Sequence, residues 1–388
     1  VMEWRALDLG ASPLSTPSDH TERLTEVVSQ LLPVLLRTLD ALDQVQRHTH
    51  PNRFAQLGET LEQFRPDMAA MAASFEKEQW PSELEGFQAL LGQATREIHA
   101  SLERCALAHT SRDPFIDWMR GMRGRSVAME ALYPLAAAFS PVSRFFLESS
   151  RRTDDALLGR IEAGMRAVAG ADDAPVIGMM NANNSRKERG GFSLYVPEYY
   201  TPGEAWPLVV ALHGGSGHGA DFLWTWLREA RSRGFILLSP TARDGTWSLM
   251  GEDIDAGPIH QMVEYVCEHW NVDRERVLLT GMSDGGTYTT LLGLAEGSPF
   301  TALAALCGVF HPMNQLNGNM ARVPGRKVYL LHGALDWMFP AETALAAYDQ
   351  LLAAGADVTY REVPDLSHTY PRDENDAILR WFDPSLAQ

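Results

Sequence analysis

The stretch 277-VLLTGMSDGGTYTTLLG-293 decides how the C-terminal half of this 388-residue chain is interpreted. An apolar, strand-like run enters Gly281-Met282-Ser283-Asp284-Gly285, and a segment of helical character follows at once. A serine between two glycines at a strand-to-helix junction is typical of a nucleophile held on a strained, exposed turn. The motif also arises by chance. The rest of the chain therefore has to supply the groups that would activate this serine.

Short apolar segments and amphipathic segments alternate on both sides of this motif. The predicted strands are 192–196, 208–212, 235–239, 277–280, 302–306, 328–331 and 358–363. Buried strands that alternate with helices predict an α/β fold with a mainly parallel sheet and helices on both faces. In such a sheet the ligand site lies at the carboxyl ends of the strands.

Four of these strand ends carry residues suited to catalysis. They are 213-HGGSGHG-219, 281-GMSDG-285, 332-HGALD-336 and 364-PDLSH-368. His368 can accept the Ser283 proton, and Asp336 can orient the imidazole. Asp365 is too close to His368 in sequence to be the obvious orienting acid. We therefore predict Ser283, Asp336 and His368 as the catalytic residues.

The glycine-rich loop after the second predicted strand is expected to stabilise the oxyanion. The backbone N–H groups of Gly215 and Asp284 are the candidate donors. Gly214 and Ser216 are predicted to line the substrate site. Ser216 is a weaker candidate nucleophile, because its surroundings break the serine-elbow pattern.

Two tryptophans are candidates for substrate contact. Trp247 lies in the loop after the strand at 235–239, and Trp337 follows the predicted acid. Their loop positions suggest an apolar or aromatic substrate group, although core packing explains either residue equally well. His213 and His332 lie in His-Gly turns and are predicted to be structural.

Composition excludes several classes of function. The net charge of -17 argues against nucleic acid or an anionic membrane surface as a partner. The three cysteines offer neither a disulfide framework nor a metal motif, and they favour a cytoplasmic setting. The glycine loop lacks the full dinucleotide-binding spacing, so we expect no cofactor. The His, Asp and Glu residues show no metal-ligand spacing such as H-E-x-x-H, so we expect no metal. No apolar run suits a transmembrane segment, no signal peptide is visible, and the oligomeric state is left open.

The N-terminal part of the chain has helical periodicity. Apolar residues recur at three- and four-residue spacing between about 20 and 170, and 82-SELE-85 predicts a capping box before one helix. Prolines are expected to divide the region into helices; they are Pro33, Pro51, Pro66, Pro81, Pro114 and Pro134. A helix opening at 153-TDD-155 is expected to end at Gly170. We predict an α-helical domain over 1–172 and a catalytic α/β domain over 173–388, joined near 169-AGADDAP-175.

The C-terminal half resembles the α/β-hydrolase superfamily, in its carboxylesterase, phospholipase and acyl-thioesterase-like branch near the dienelactone hydrolases. The resemblance covers about residues 176–383 and rests on 190-GGFSLYVPEYY-200, 207-PLVVALHGGSG-217, 281-GMSDGG-286, 330-LLHGALDWMFP-340 and 366-LSHTYP-371. It implies hydrolysis of an ester or thioester through an acyl-enzyme, with Ser283, Asp336 and His368 at the triad positions. Asp284 departs from this branch, which often carries glutamine there, and the helical region is not part of its small-esterase pattern.

These observations predict a serine esterase acting on a small-molecule carboxylic ester. The chain between the strands at 302–306 and 328–331 is too short for a helical cap, so we expect the N-terminal helices to supply a lid. Thioesterase, lysophospholipase, lipase and peptidase activities on the same triad remain alternatives. A protein-binding helical module on an inactive hydrolase scaffold is another.

Overall fold

A computed structural model describes residues 19–168 and 174–387. Helices α1 to α7 are Asp19–Arg47, Phe54–Glu62, Arg65–Lys77, Glu85–Leu107, Pro114–Leu132, Ser140–Phe145 and Asp155–Val168. Strands β1 to β8 are Gly178–Ala182, Phe192–Val196, Trp206–Leu212, Ile236–Pro240, Val272–Met282, Ala302–Leu306, Lys327–Gly333 and Asp357–Val363. Helices α8 to α14 are Gly219–Phe222, Leu227–Arg233, Ala256–His269, Asp284–Gly293, Met313–Leu316, Ala341–Ala353 and Asn375–Phe382.

The strands form one sheet in the order β1-β2-β4-β3-β5-β6-β7-β8. Strands β3 to β8 run parallel, whereas β1 and β2 are antiparallel to their neighbours. The predicted α/β fold with a mainly parallel sheet is confirmed. Strand β1 was not among the predicted strands, because its residues 178-GMMNA-182 are largely half-buried and contain no β-branched or aromatic side chain.

The sheet is covered on both faces. Successive strand residues point to opposite sides, so Val209 and Leu278 enter one core while Val210 and Leu279 enter the other. Helices α10, α11 and α13 cover the face that includes Val210 and Leu279. Helices α9 and α14 contribute to the opposite face.

The N-terminal helices share the core of that opposite face. One continuous set of buried apolar residues runs from Leu31 of α1 through Phe146 and Trp224 to Val209 of β3. Next to this core, the buried Glu198 carboxylate accepts hydrogen bonds from Tyr133 of the helical region and Tyr195 of β2. The helical region therefore packs against the sheet side of the molecule and completes its core.

Two helix predictions need correction, and two further predictions concern residues outside the described part of the chain. Pro33 does not end a helix but lies inside α1, where buried neighbours such as Leu32 and Leu35 hold the segment in place. Ser82 makes no capping bond, because residues 82–84 form a 3-10 turn before α4. Gly170 and the predicted domain boundary at 172/173 lie outside the described residues.

Within the described part of the chain, every helix is too short or too polar to cross a lipid bilayer.

Candidate active site

The serine elbow lies at the junction of β5 and α11. Ser283 has φ +58° and ψ −121°, a left-handed conformation that is costly for a residue with a side chain. The flanking glycines are required by close approach: a Cβ on Gly281 would lie 2.5 Å from the Gly285 carbonyl carbon, and one on Gly285 would lie 2.4 Å from the Leu212 oxygen. The turn therefore packs tightly against β3 and projects Ser283 from the carboxyl edge of the sheet.

The structure brings Ser283, His368 and Asp336 together. The Ser283 hydroxyl lies 2.9 Å from His368 Nε2, and His368 Nδ1 lies 2.7 Å from Asp336 Oδ2. Both distances are those of hydrogen bonds. Ser283 can therefore donate its proton to Nε2 while the Nδ1–H group donates to the carboxylate.

The Asp336 carboxylate is held by its own loop as well as by His368. Its Oδ1 accepts hydrogen bonds from the backbone N–H groups of Met338 and Phe339 at 2.9 and 2.8 Å. Burial alone would raise the pKa of Asp336, but the hydrogen bonds from His368 and Phe339 outweigh it and hold the pKa below its ordinary value. Asp336 therefore carries a negative charge at neutral pH.

The buried His332 stands behind the acid. Its Nε2–H group donates to the Phe339 carbonyl at 2.8 Å, and the same nitrogen lies 3.4 Å from Asp336 Oδ2. These contacts agree with the structural role predicted for His332.

The glycine-rich loop lies beside the elbow. A Cβ added to Gly214 would lie 3.4 Å from Ser283 Cβ. The Gly217 N–H group donates to the Gly214 carbonyl and closes a turn. Ser216 occupies the left-handed region at φ +57°, and its N–H group donates to the Gly245 carbonyl. Ser216 thus shapes the loop, and within the described residues no imidazole contacts its hydroxyl.

His213 organises the start of this loop. Its Nδ1–H group donates to the Gly214 carbonyl at 2.7 Å, and its Nε2 accepts from the Ala242 N–H group at 3.1 Å. Burial lowers the pKa of His213 to about 3, so the ring is neutral and the two bonds define its tautomer. These bonds agree with the predicted structural role.

The two candidate oxyanion donors are available for a ligand. In the described part of the chain, no backbone acceptor engages the N–H group of Gly215 or of Asp284. The Asp284 side chain turns toward the same loop. A Cβ added to Gly215 would lie 2.6 Å from Asp284 Oδ2, and this oxygen accepts a hydrogen bond from Thr246. A carboxylate therefore stands next to the candidate oxyanion hole.

The two candidate tryptophans occupy different environments. Trp247 is 2% exposed, donates to the His213 carbonyl at 2.7 Å and stacks on Tyr288. This buried position does not support the predicted substrate contact and assigns Trp247 to the support of the glycine loop. Trp337 is 44% exposed, and its ring centroid lies 6.4 Å from that of His368.

The last turn of α1 holds the loop that carries His368. The Gln46 side chain donates to the Thr369 hydroxyl at 2.8 Å, and that hydroxyl donates to the Gln46 carbonyl at 2.9 Å. Arg47 donates to Asp365 at 3.0 Å and to Asp373 at 2.7 Å. The loop between Asp365 and Asp373 is therefore tied to the helical region at three points.

Helix α5 contacts the site on two sides. Arg123 donates to the Ser216 carbonyl at 3.1 Å, and the Phe115 ring packs edge-on against Trp337 with centroids 5.7 Å apart. Gln46, Arg47 and these two α5 residues were not among the predicted site residues. The helical region carries no motif, and no local pattern connects residues more than 90 positions apart in the chain.

A cleft of about 830 Å³ lies elsewhere, between α7 and the segment around Trp206, and the three triad residues do not line it. The described residues contain no group of three or more His, Cys, Asp or Glu side chains placed to bind a metal ion.

Comparisons with known proteins agree with this architecture. Residues 251–383 match the phospholipase/carboxylesterase family. An acetylxylan esterase of Coprinopsis cinerea is 31% identical over 115 residues, which cover 26% of this chain and 30% of that protein. A bifunctional acetylxylan esterase/xylanase of Neocallimastix patriciarum is 29% identical over 115 residues, 28% of this chain and 16% of that protein. The chain spans less than half the length of the curated relatives it matches.

Solved structures are similar at lower identity. An acetyl xylan esterase from Aspergillus awamori has 16% identity and a TM-score of 0.41, covering 53% of this chain and 98% of that one. The Staphylococcus aureus fluorophosphonate-binding serine hydrolase FphF has 16% identity and a TM-score of 0.44, covering 54% and 98%. The family match, together with the mainly parallel sheet and the serine elbow at its centre, identifies the C-terminal region of this chain as an α/β-hydrolase related to the phospholipase/carboxylesterase family.

Proposed function

We propose that the chain is a serine hydrolase that cleaves carboxylic esters through an acyl-enzyme on Ser283. The observation that carries the proposal is the unbroken hydrogen-bonded series from Ser283 Oγ through His368 to Asp336, at 2.9 and 2.7 Å. A hydroxyl is a poor nucleophile by itself, and this series supplies both the base and the group that orients the base.

The residues act in a defined order. His368 accepts the Ser283 proton as Oγ attacks the ester carbonyl, and then gives it to the departing alcohol. Asp336 keeps Nδ1 protonated and stabilises the imidazolium, a role supported by its lowered pKa. Water then releases the acid from Ser283 by the same proton transfers in reverse.

The oxyanion is stabilised by backbone donors. The N–H groups of Gly215 and Asp284, which have no backbone acceptor of their own, are the proposed pair. Gly214 and Trp337 line the substrate site beside them. Removing one such donor typically costs 10²- to 10³-fold in kcat, roughly 3–4 kcal/mol.

The substrate proposed is a small-molecule ester with a short acyl group. The names of the acetylxylan esterases favour an acetyl ester. The helical region is proposed to cover the site, supported by the contacts of Arg123 with Ser216 and of Phe115 with Trp337. Free Cys105, Cys267 and Cys307 suit a reducing compartment such as the cytoplasm.

The proposal is tested with p-nitrophenyl acetate, butyrate, octanoate and palmitate, each assayed with the wild type and with Ser283→Ala. We expect preference for the acetate, at least a 10³-fold lower kcat in the variant, and labelling of the wild type alone by a fluorophosphonate probe. Comparable turnover by Ser283→Ala would refute the assignment of the nucleophile. An ester, its thioester and its amide with the same acyl group then separate esterase from thioesterase and peptidase activity.

A further inference from the structure

Helix α5 contacts two loops that flank the candidate active site. Near its start Phe115 packs on Trp337, in the loop that carries the acid. Two turns later Arg123 donates to the Ser216 carbonyl, in the glycine-rich loop. The helix rises about 12 Å between these residues, so its intervening turn passes between the two loops that flank Ser283 and His368.

Met119 lies on the face of α5 that joins these anchors. It follows Phe115 by four residues and precedes Arg123 by four, a spacing that places the three side chains in one row along a helix. Phe115, Met119 and Trp337 are 39%, 49% and 44% exposed. These three residues, called the α5 wall below, therefore offer free apolar surface beside the triad.

We propose that the α5 wall binds the alcohol part of the ester substrate; this inference rests on the proposed esterase function. The departing alcohol oxygen takes its proton from His368 Nε2, so it must come within about 3 Å of that atom. Trp337 lies against the same imidazole, with ring centroids 6.4 Å apart. A bulky alcohol group attached to that oxygen therefore comes within reach of Trp337 and of the α5 side chain that packs on it.

The wall selects alcohols that carry a ring. Two aromatic side chains set edge to face present flat apolar surface, and a polarisable methionine adjusts to the shape of the group placed against it. An aryl ring and the apolar face of a pyranose share the required chemistry. A short aliphatic alcohol is too small to cover this surface and gains little from it.

The test holds the acyl group constant and varies the alcohol. Naphthyl acetate and ethyl acetate are compared, and the ratio of their kcat/KM values is measured for the wild type, Trp337→Ala, Phe115→Ala and Met119→Ala. We expect this ratio to fall about 10-fold in the aromatic variants and about 3-fold in Met119→Ala, mainly through weaker binding of the naphthyl ester. Leu352→Ala, which removes an exposed leucine of α13, is the control and keeps the wild-type ratio.

Further measurements separate the alternatives. A second series with p-nitrophenyl acetate, butyrate and octanoate should show an unchanged acyl profile in each wall variant. An altered acyl profile with an unchanged naphthyl-to-ethyl ratio would assign the wall to the acyl group and overturn the proposal. Equal losses for both acetates would also overturn it. Trp337→Phe, which keeps a flat ring, should retain most of the ratio.

Acetylated xylopyranose in place of naphthyl acetate distinguishes the sources of the ring. If the wall variants lower the xylopyranose-to-ethyl ratio of kcat/KM more than the naphthyl-to-ethyl ratio, the wall binds a sugar alcohol. If they lower the naphthyl-to-ethyl ratio more, the wall binds an aryl alcohol. Turnover of either acetate by Ser283→Ala would instead contradict the esterase proposal itself, whatever the wall variants show.

Discussion

At the scale of single residues, Asp284, which follows the proposed nucleophile, combines two opposing effects. The Asp284 N–H group is a proposed oxyanion donor, whereas its carboxylate lies against Gly215, the other proposed donor. A negative charge at this location opposes the charge that develops on the substrate oxygen. At a solvent-screened site such a repulsion is on the order of 1 kcal/mol, which corresponds to roughly a 5-fold change in rate.

We therefore expect Asp284→Asn to raise kcat about 3- to 10-fold on p-nitrophenyl acetate. The amide can still accept the hydrogen bond from Thr246, so the loop keeps its shape. Loss of a negative charge from the first turn of α11 should lower stability by about 0.3–1 kcal/mol. Asp349→Asn, an exposed change on α13, is the charge-matched control. A lower kcat in Asp284→Asn would show that the carboxylate supports catalysis.

At the scale of secondary-structure elements, α1 positions the loop that carries His368. Arg47 spans that loop from Asp365 to Asp373, and its side chain is only 14% exposed, so the pairs are partly shielded from solvent. Gln46 and Thr369 exchange two hydrogen bonds one residue from the imidazole. Movement of this loop would lengthen the bond between His368 and Ser283.

We expect Arg47→Ala to lower kcat about 10-fold with little change in KM, because the arginine acts through His368 and does not touch the substrate. Arg47→Lys should restore part of the loss. Arg23→Ala removes an exposed arginine of the same helix and should leave kcat unchanged. A change confined to the melting temperature in Arg47→Ala would mean that the contact is structural alone.

At the scale of the whole molecule, a buried polar network joins the helical region to the sheet. The fully buried Glu198 accepts hydrogen bonds from Tyr133, Tyr195 and Arg231. Arg231 also donates to the Ser143 carbonyl of α6. Burial would raise the pKa of Glu198, but Arg231 and the two tyrosines lower it below its ordinary value.

This lowered pKa determines the direction of a pH effect. The stabilisation is complete above the unfolded-state pKa of about 4.3 and is lost as the pH falls through the lower folded-state pKa. We expect Glu198→Gln to cost about 3–5 kcal/mol at pH 7, since it leaves Arg231 buried without its counter-ion, and less as the pH falls below about 4. Urea unfolding between pH 3 and 7 measures this difference. Exposed Glu204→Gln is the control, and a difference that does not vary with pH would contradict the expectation.

Local sequence patterns predicted the central elements well because their signals are local. Strand–turn–helix at Ser283 is encoded by an apolar run, two glycines and a segment of helical character within 17 residues. Predicted strand ends placed Asp336 and His368 at the same edge as Ser283, since the strands of a parallel sheet all end on one side. Pro33 was misinterpreted because burial of α1 outweighs the loss of one backbone hydrogen bond.

By itself, the sequence determined the α/β arrangement, the helical region and the three residues whose side chains meet at Ser283, since periodicity and turn chemistry depend on neighbours along the chain. Only the tertiary structure decided that Trp247 is buried under the glycine loop while Trp337 faces the site. It also decided that α1 contacts the His368 loop and that α5 contacts Ser216 and Trp337. Such contacts join residues about 90 to more than 300 positions apart, and the packing of one apolar core, rather than any local pattern, brings them together.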